Sequence, residues 1–562
     1  MYKLQSMLAP PAGRPAALYL RGGGGHGARA GEPVALGAGE TLSLDTFFGA
    51  FYRAYWRRHT AVESLAVSAE IAGPARLRII EAAGGVRRCL VEHEFAAGAA
   101  RRCLRLPDEG RAPARGSRLY AEIEALGPCE IRAVDFVTDT PPARRATLSI
   151  GICTFNQEER LARTLTRLAG IAREEDAIRA VYVVNQGAPF ARAETHALLR
   201  APGITSLAQR NLGGCGGFTR TLMEALESDA PATHHLMMDD DIELDARLIS
   251  RALRFLDYAH ADIALGAGML DSQRPSVMHE AGAFLTPDNR IEAYCHDVDL
   301  ADPGEQGHFD TPVATDFNAW WFCILPLARC REVGLPPPLF IRGDDFEYGQ
   351  RLAEAGVATV TLPGIAVWHE PFHARLGGWQ SYYDLRNRLI FAALHGGKVR
   401  QLSLARVVGM ITTAVLTHDY RTARLRLRAV EDFLAGPDRL LARDPEDIHA
   451  DILALARRGA PEALADPALK ARPAARGRAP GERMGALIRQ HFAAMLRTGL
   501  GPLDRAAPPI LEEADAHPAN TAGRAYILTN TARDFHLRLA PRRGTMWALL
   551  GRAALAGWRF RR

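Results

Sequence analysis

Apolar residues recur in three rhythms along the chain. Up to about residue 145 they come in short β-rich pieces, "ALYLRG", "ESLAVSAEI", "ARLRIIEAA", "RRCLRLP" and "CEIRAVDFVTDT", punctuated by glycine turns that include Gly22 to Gly25. Strands at this spacing predict a β-sandwich over 1–145. Acid–base chemistry is hard to locate there, so the segment reads as an interaction or carbohydrate-contacting module. From 146 to 395 the rhythm alternates. "ATLSIGICTF" reads as a buried strand, and "NQEERLARTLTRLAGI" places Leu161, Leu165, Leu168 and Ile171 on one helical face. "AVYVVNQG" is a strand, "FTRTLMEALES" a helix with Phe218, Leu222 and Leu226 on one side, and "HHLMMDDD" a strand ending in acid. Such alternation predicts a parallel, doubly wound α/β sheet whose ligands bind at the C-terminal strand ends, here 154–158, 185–188 and 239–241. From 396 to 562 the pattern is helical, rich in Ala, Leu and Arg. It is interrupted over 458–486 by a proline-bearing stretch that predicts a loop or a disordered, flexible segment. No internal repeat is visible.

Composition narrows this picture. A chain of 562 residues predicts two to four domains, and 48% hydrophobic with 24% charged residues is ordinary for folded protein. A net charge of +5 gives no reason to expect a nucleic-acid partner. Eight cysteines without a CxxC pair suit reduced thiols in the cytoplasm. The N-terminus lacks the pattern of a signal peptide, and the longest apolar run, near Val407 to Leu416, is about half of what a bilayer span needs. The expectation is a soluble or peripheral protein. The last 21 residues, "RRGTMWALLGRAALAGWRFRR", carry six arginines and no acid. A short helix there would offer Trp547, Leu550 and Trp558 beside basic charge, which fits either an anionic membrane surface or packing on the protein.

Candidate chemistry begins with "THHLMMDDDIELD". Three adjacent aspartates repel unless a cation, a helix N-terminus or water absorbs their charge. In an extended strand end Asp239 and Asp241 converge while Asp240 points elsewhere, an arrangement suited to Mg²⁺ or Mn²⁺. The alternative is an acidic turn capping the helix "LDARLISRALRFL". In "FIRGDDFEYGQRLAEAG", Asp344 and Asp345 open a helix, where an aspartate either accepts a hydroxyl proton or simply caps. In "VATVTLPGIAVWHEPFH", His369 and His373 follow a strand; a neutral imidazole would complete a two-carboxylate site, or the histidine is structural. "QRNLGGCGGFTR" puts glycines at a helix start, a place for phosphate, though it is neither a Walker loop nor GxGxxG. Adjacent Trp320 and Trp321 in "DFNAWWFCILP" point to opposite sides of a strand, one for the core and one as a sugar platform, or both for the core.

Taken in order, "SIGICTFNQEERLARTL", "VVNQG", "NLGGCGGFTR", "MMDDDIELD", "FNAWWFCILP", "FIRGDDFEYGQRL" and "LPGIAVWHE" resemble the GT-A family of inverting glycosyltransferases, most nearly the bacterial galactofuranosyltransferases that use UDP-galactofuranose. The resemblance covers about residues 40 to 420. It implies a Rossmann-like GT-A core, an N-terminal β-sandwich and a C-terminal helical domain. It implies Asp239, Asp241 and His369 as ligands of Mn²⁺ or Mg²⁺, and Asp345 as catalytic base. Trp320, Trp321 and Asp344 fall on the acceptor side. Thr154, Asn156, Gln157, Gln186, Asn211, Gly213, Gly214, Asp239 and Asp240 fall where nucleotide-sugar contacts are expected. One departure is Gln157, where the family carries an arginine after "TFN"; Arg160, Arg210 and Arg220 are candidates to supply that charge. The implied partners are a UDP-sugar and a glycan or glycolipid acceptor, at the cytoplasmic face of the inner membrane, with room for a homo-oligomer. The alternatives are a transferase of the same fold using a sugar such as dTDP-rhamnose, and a catalytically silent glycan-binding protein. Intact Asp239, Asp241, Asp345 and His369 argue against silence.

Overall fold

The computed structural model describes residues 1–23, 28–107, 116–286, 290–371, 378–396, 402–476, 484–530, 533 and 535–560. Gly24 and Gly25, His373, residues 477–483 of the proline-bearing stretch and the last two arginines lie outside the described residues.

The alternating strands of the N-terminal part pair into two five-stranded antiparallel sheets. One joins Tyr2–Ser6, Val34–Leu36, Ala66–Ala72, Ala99–Arg105 and Cys129–Thr138. The other joins Arg21–Gly22, Thr41–Ser43, Ala75–Ala83, Val86–Phe95 and Arg118–Ala125. Val67, Ala69 and Ile71 of the first sheet and Leu77, Ile79 and Ile123 of the second are buried in one apolar cluster. That cluster runs on into Ile150, Met238 and Leu248 of the following region, so the N-terminal sheets and the α/β region share a core.

The α/β region is built on a ten-stranded mixed sheet. Ile204–Ala208, Ile178–Asn185, Leu148–Thr154 and His234–Asp239 lie side by side and parallel. Phe322–Pro326 then runs antiparallel, followed by Ile263–Asp271, which pairs in parallel with Ala358–His369. Leu148–Thr154 is buried almost throughout, as expected of a central strand covered on both faces. The helix Glu158–Glu174 buries Leu161, Leu165, Leu168 and Ile171, and its Glu158 and Glu159 sit where the helix dipole favours acid.

Two close approaches fix the helix Gly213–Glu227 against this sheet. A Cβ on Gly151 would meet Thr221 Oγ1 at 2.2 Å, and one on Gly217 would meet Cys153 Sγ at 2.0 Å. His235 is fully buried in the same contact, its ring nitrogens 2.8 Å from Ser149 Oγ and 3.1 Å from Thr221 Oγ1. The glycine run is therefore set partly by helix–strand packing and not solely by ligand access.

Packing divides the chain into two compact units, elsewhere than at 145/146 and 395/396. The described residues of 1–338 and 344–371 form one, and residues 339–343 with those beyond 371 form the other. In the second, Tyr382, Tyr383, Leu385 and Leu389 of the helix Gln380–Leu394 share a core with Val407, Ile411, Leu425 and Met546, so this helix belongs with the C-terminal ones. Asn387 Nδ2 donates to the carbonyls of Ile341 and Arg342 at 2.8 and 2.6 Å.

The expectation of a helical C-terminal part with a flexible segment over 458–486 is corrected in one respect. Glu462–Ala463, His536–Leu539, Tyr526–Thr529 and Ile510–Glu512 form a four-stranded sheet. Part of the stretch expected to be loop thus carries a paired strand and a short helix, Ala468–Ala471, whose Leu469 is buried against Ile510 and Ile527. Strands this short owe their pairing to partners far along the chain, which local periodicity does not register. Trp547 and Trp558 are exposed on the helix Arg543–Phe560, while Leu550 packs against the core. No helix among the described residues is long and apolar enough to cross a membrane.

Candidate active site

The parallel strands bring their C-terminal ends to one edge. In register, Cys153 lies opposite Asp239 and Thr154 opposite Asn185. Asp271 lies opposite His369, the last residue of its strand. Chain reversal after Asp239 places Asp240 and Asp241 in a turn, so the convergence expected of an extended strand end is made by that turn instead. Asp239, Asp241 and His369 each offer one ligand atom, and these atoms all lie within 4.8 Å of one another. The helix Arg247–Tyr258 is not capped by these acids: its N-cap position is Ala246, and Asp245 just before it accepts from the Arg247 backbone N–H at 3.2 Å and pairs with its guanidinium.

The electrostatics of the cluster follow from crowding acids at a buried edge. Burial holds the Asp239 carboxyl well above the usual carboxylate range, and the charges of Asp241 and Asp240 add to this against the opposing effect of His369. Burial also works to raise Asp241, but it is outweighed by the hydrogen bond and charge of His369 and by Arg160, so the net shift is downward. His369 is raised: burial opposes its charge, and the Asp241 hydrogen bond with the Asp239 charge prevails. Asp240 turns away from the pair; burial pushes it up to about 7, with the Thr154 hydroxyl acting the other way.

Arg160 contributes more than the sequence indicated. Its Nη1 donates to Asp241 Oδ2 at 2.8 Å and its Nη2 lies 3.9 Å from Glu370. Arg160, one of the candidates to supply the charge missing at Gln157, thus reaches the acids, whereas Arg220 pairs with Glu224 on its own helix. Gln157 itself is exposed at the start of the helix Glu158–Glu174. Asn156 adopts φ 57° and accepts from the Ala188 N–H at 2.9 Å.

The positions expected at the nucleotide separate into open and internally used groups. Gln186 is buried, donating to the Gly213 carbonyl at 2.8 Å and to Cys153 Sγ at 3.1 Å. Its oxygen accepts from Gln209 and from the Leu212 N–H, both at 2.9 Å. It pins the strand end to the glycine turn. Asn211 accepts from the Gly213 N–H at 3.0 Å, and Gly213 needs its φ of 71° to enter the helix. A Cβ on Gly214 would meet nothing within 4 Å, so packing does not require glycine there.

Asp344 and Asp345 begin the helix Asp344–Glu354, directly after Gly343 at φ 88°. The Phe346 N–H donates to Asp345 Oδ1 at 2.8 Å. Asp344 is buried, and its charge adds to the rise of Asp239. Asp345 acts instead on Glu280, a residue the sequence gave no reason to single out. Burial pushes Glu280 up to about 8, with the Asp345 charge as the second cause. Its Oε1 is buried with no hydrogen-bond partner among the described residues.

Of the two readings of the tryptophan pair, the structure favours the core for both rings, and it corrects their placement on a strand. Both rings are buried, at 5% and 6% exposure, and they sit in a turn just before Phe322–Pro326 and not on the strand. Trp320 packs edge-on against Phe218 and Tyr348, and Trp321 joins the larger core. Neither is an open platform. The Trp321 carbonyl accepts from the Asp239 N–H at 3.4 Å, and its Nε1 is buried without a partner among the described residues.

With this geometry in view, comparison with known proteins is informative. Residues 4–107 match the family described as Galactofuranosyltransferase 2 N-terminal, and residues 144–392 match Glycosyltransferase like family 2. Galactofuranosyltransferase GlfT2 of Mycolicibacterium smegmatis is 32% identical over 483 residues, covering 78% of this chain and 72% of the relative. The chain belongs to the galactofuranosyltransferase family. GlfT2 of Mycobacterium tuberculosis is 31% identical over 476 residues, covering 78% of this chain and 73% of its own length. Membership of this galactofuranosyltransferase family makes the chain a hexosyltransferase, and its mixed sheet with acids at the strand ends is the GT-A core. Among solved structures, a mannosyltransferase from Pyrobaculum calidifontis in complex with GDP-mannose and Mn²⁺ is 14% identical, with a TM-score of 0.33 over 57% of this chain and 88% of its own. That likeness is too loose to bear on the assignment.

Proposed function

We propose that this glycosyltransferase transfers galactofuranose from UDP-galactofuranose to a surface glycan or glycolipid acceptor, with inversion and with Mn²⁺ or Mg²⁺ as cofactor. The observation that carries the reading is the convergence of Asp239, Asp241 and His369 within 4.8 Å. Two carboxylates and an imidazole are the donor set that favours a small, hard or borderline cation, and crowded buried acids gain most from its charge. The galactofuranosyl specificity rests on the names of the two relatives.

A bound divalent cation supplies Lewis acidity for the leaving diphosphate. The chain's own residues do the rest. Asp239, Asp241 and His369 hold the cation, and Thr154, Asn156, Gln157, Asn211, Gly213 and Gly214 form the edge that receives the nucleotide. Asp345 takes the proton of the acceptor hydroxyl on its carboxylate, from the face of the sugar opposite the departing UDP. Asp344 lies on the acceptor side, and the buried Trp320 and Trp321 contribute there by packing and not as an open sugar platform. One displacement with one base inverts the anomeric centre, with no carboxylate nucleophile of the kind a retaining hydrolase needs. We read the two N-terminal sheets as a β-sandwich appended to the GT-A core. The basic C-terminal helix, with Trp547 and Trp558 exposed, supports peripheral association with the cytoplasmic membrane face.

Release of UDP or dTDP from a panel of nucleotide sugars, with Mn²⁺ present, tests this reading. UDP-galactofuranose is expected to turn over; preference for dTDP-rhamnose or a pyranose donor would overturn the donor assignment, and no turnover with any donor would overturn the proposed transfer itself.

A further inference from the structure

The ligand-bearing segments are tied together by a very short ladder. Among the described residues, Glu243 and Leu244 pair antiparallel with Trp368 and Val367, a ladder of two residues. Asp241 lies two residues before Glu243, and His369 directly follows Trp368. The cross-strand pair Glu243/Trp368 therefore sets the separation of two proposed metal ligands. A two-residue ladder is weak by itself and needs bracing by side chains.

Arg14, on the N-terminal segment, supplies that brace. Its guanidinium lies over the Trp368 ring, 4.1 Å from the centroid, and forms an ion pair with Glu243. One planar group thus grips both members of the pair, its face on the indole and its edge on the carboxylate. The Arg14 side chain is 14% exposed, so water competes little for it. Arg167 also approaches Glu243, at 3.5 Å, but is 37% exposed. Trp368 is held from other directions as well, by Phe48 at 5.8 Å between ring centroids and by donation from its Nε1 to the Pro275 carbonyl at 2.9 Å. The N-terminal segment is bound to the same region elsewhere: Arg247 donates to the Ala9 carbonyl at 2.8 Å, and Arg251 to those of Ser6, Phe48 and Gly364.

We propose that Arg14 is a positioning residue of the active site: by bracing Glu243 against Trp368 it holds Asp241 and His369 at the spacing a divalent cation requires. This rests on the metal reading above. It gives the N-terminal segment a direct part in assembling the catalytic centre, beyond any contact with glycan.

The experiment is Mn²⁺ titration of the full chain by calorimetry, without donor or acceptor, on wild type, Arg14→Ala, Arg14→Lys, Glu243→Gln and the Arg14→Ala/Glu243→Gln double variant. Arg14→Ala and Glu243→Gln are each expected to raise the Mn²⁺ dissociation constant about 10–100-fold, the range typical for residues supporting a metal ligand. The double variant is expected to be no worse than either single one, because both remove the same brace. Arg14→Lys keeps a charge for Glu243 but not the planar face, and is expected to fall between. Wild-type affinity in Arg14→Ala, or in Glu243→Gln and Arg14→Lys should Arg14→Ala not fold, would overturn the proposal while leaving the metal reading intact. Absence of Mn²⁺ binding in the wild type would overturn both.

Discussion

His369 Nε2 lies 3.0 Å from Asp241 Oδ1, although 128 residues separate the two in sequence. The pairing joins the turn after one parallel strand to the last residue of another, and Arg160 approaches the second oxygen of the same carboxylate at 2.8 Å. Cationic side chains thus sit against an acid pair that two aspartates crowd. Replacing His369 or Asp239 by alanine is expected to weaken Mn²⁺ binding at least tenfold, measured calorimetrically, and EDTA is expected to abolish transfer in the wild type. Retained Mn²⁺ affinity in both variants would remove these residues from the metal site.

Asp345 lies at the start of the helix Asp344–Glu354, where the Phe346 amide donates to its carboxylate. Asp345→Asn preserves shape and hydrogen bonding but not basicity. The expected result is donor binding close to wild type with transfer slower by about 10²–10⁴-fold, the usual contribution of a positioned base. UDP binding by calorimetry and UDP release on adding acceptor separate the two quantities, and undiminished transfer would sink the assignment.

His235 gives the fold a pH dependence. Burial lowers it from 6.5 to about 3, so the folded protein keeps it neutral while the unfolded chain takes up a proton below 6.5. The unfolded state then binds more protons, and stability is expected to fall as pH drops from 6.5 toward 3, by about 1.4 kcal/mol per unit for this group. His234, lowered to about 4 by burial first, acts in the same direction. Thermal unfolding at pH 7 and pH 5 should show a smaller loss in His235→Gln than in wild type; equal losses would refute the attribution.

Two glycines of the "NLGGCGG" turn should behave differently. Gly217→Ala drives a methyl into Cys153 Sγ and is expected to cost about 1–3 kcal/mol, seen as a lowered Tm. Gly214→Ala meets nothing in the protein and gains helix propensity, so Tm should hold or rise by the equivalent of about 0.5–1 kcal/mol. If that edge receives the diphosphate, Gly214→Ala should nevertheless weaken UDP binding. A Gly214→Ala variant with unchanged UDP affinity would place the diphosphate elsewhere.

Much of this was legible in the residues. Helix faces such as Leu161, Leu165, Leu168 and Ile171 announce themselves because burial on a helix imposes a 3.6-residue period, and they are buried as expected. The order of motifs carried the family. Less legible were contacts that link distant stretches. Glu280 looks like any polar residue on a short strand until α-helical Asp345 is brought within electrostatic reach of it. Gln186 looks like a ligand contact until its amide is seen fully used within the protein. Trp320 and Trp321 look like strand residues in the sequence because an apolar run hides the turn that ends just before Phe322.

Local chemistry determined which side chains exist to be used: two aspartates flanking a third, a histidine ending an apolar strand, an aspartate pair opening a helix. Periodicity determined that the middle of the chain folds as strands alternating with helices, because each element must bury one face. Tertiary structure alone decided that Asp241 meets His369, that Arg160 reaches that carboxylate, and that Arg14 closes over Trp368. Those relations depend on strand register and chain crossovers, which are fixed by the summed packing of the whole core and leave no mark in the spacing of neighbouring residues.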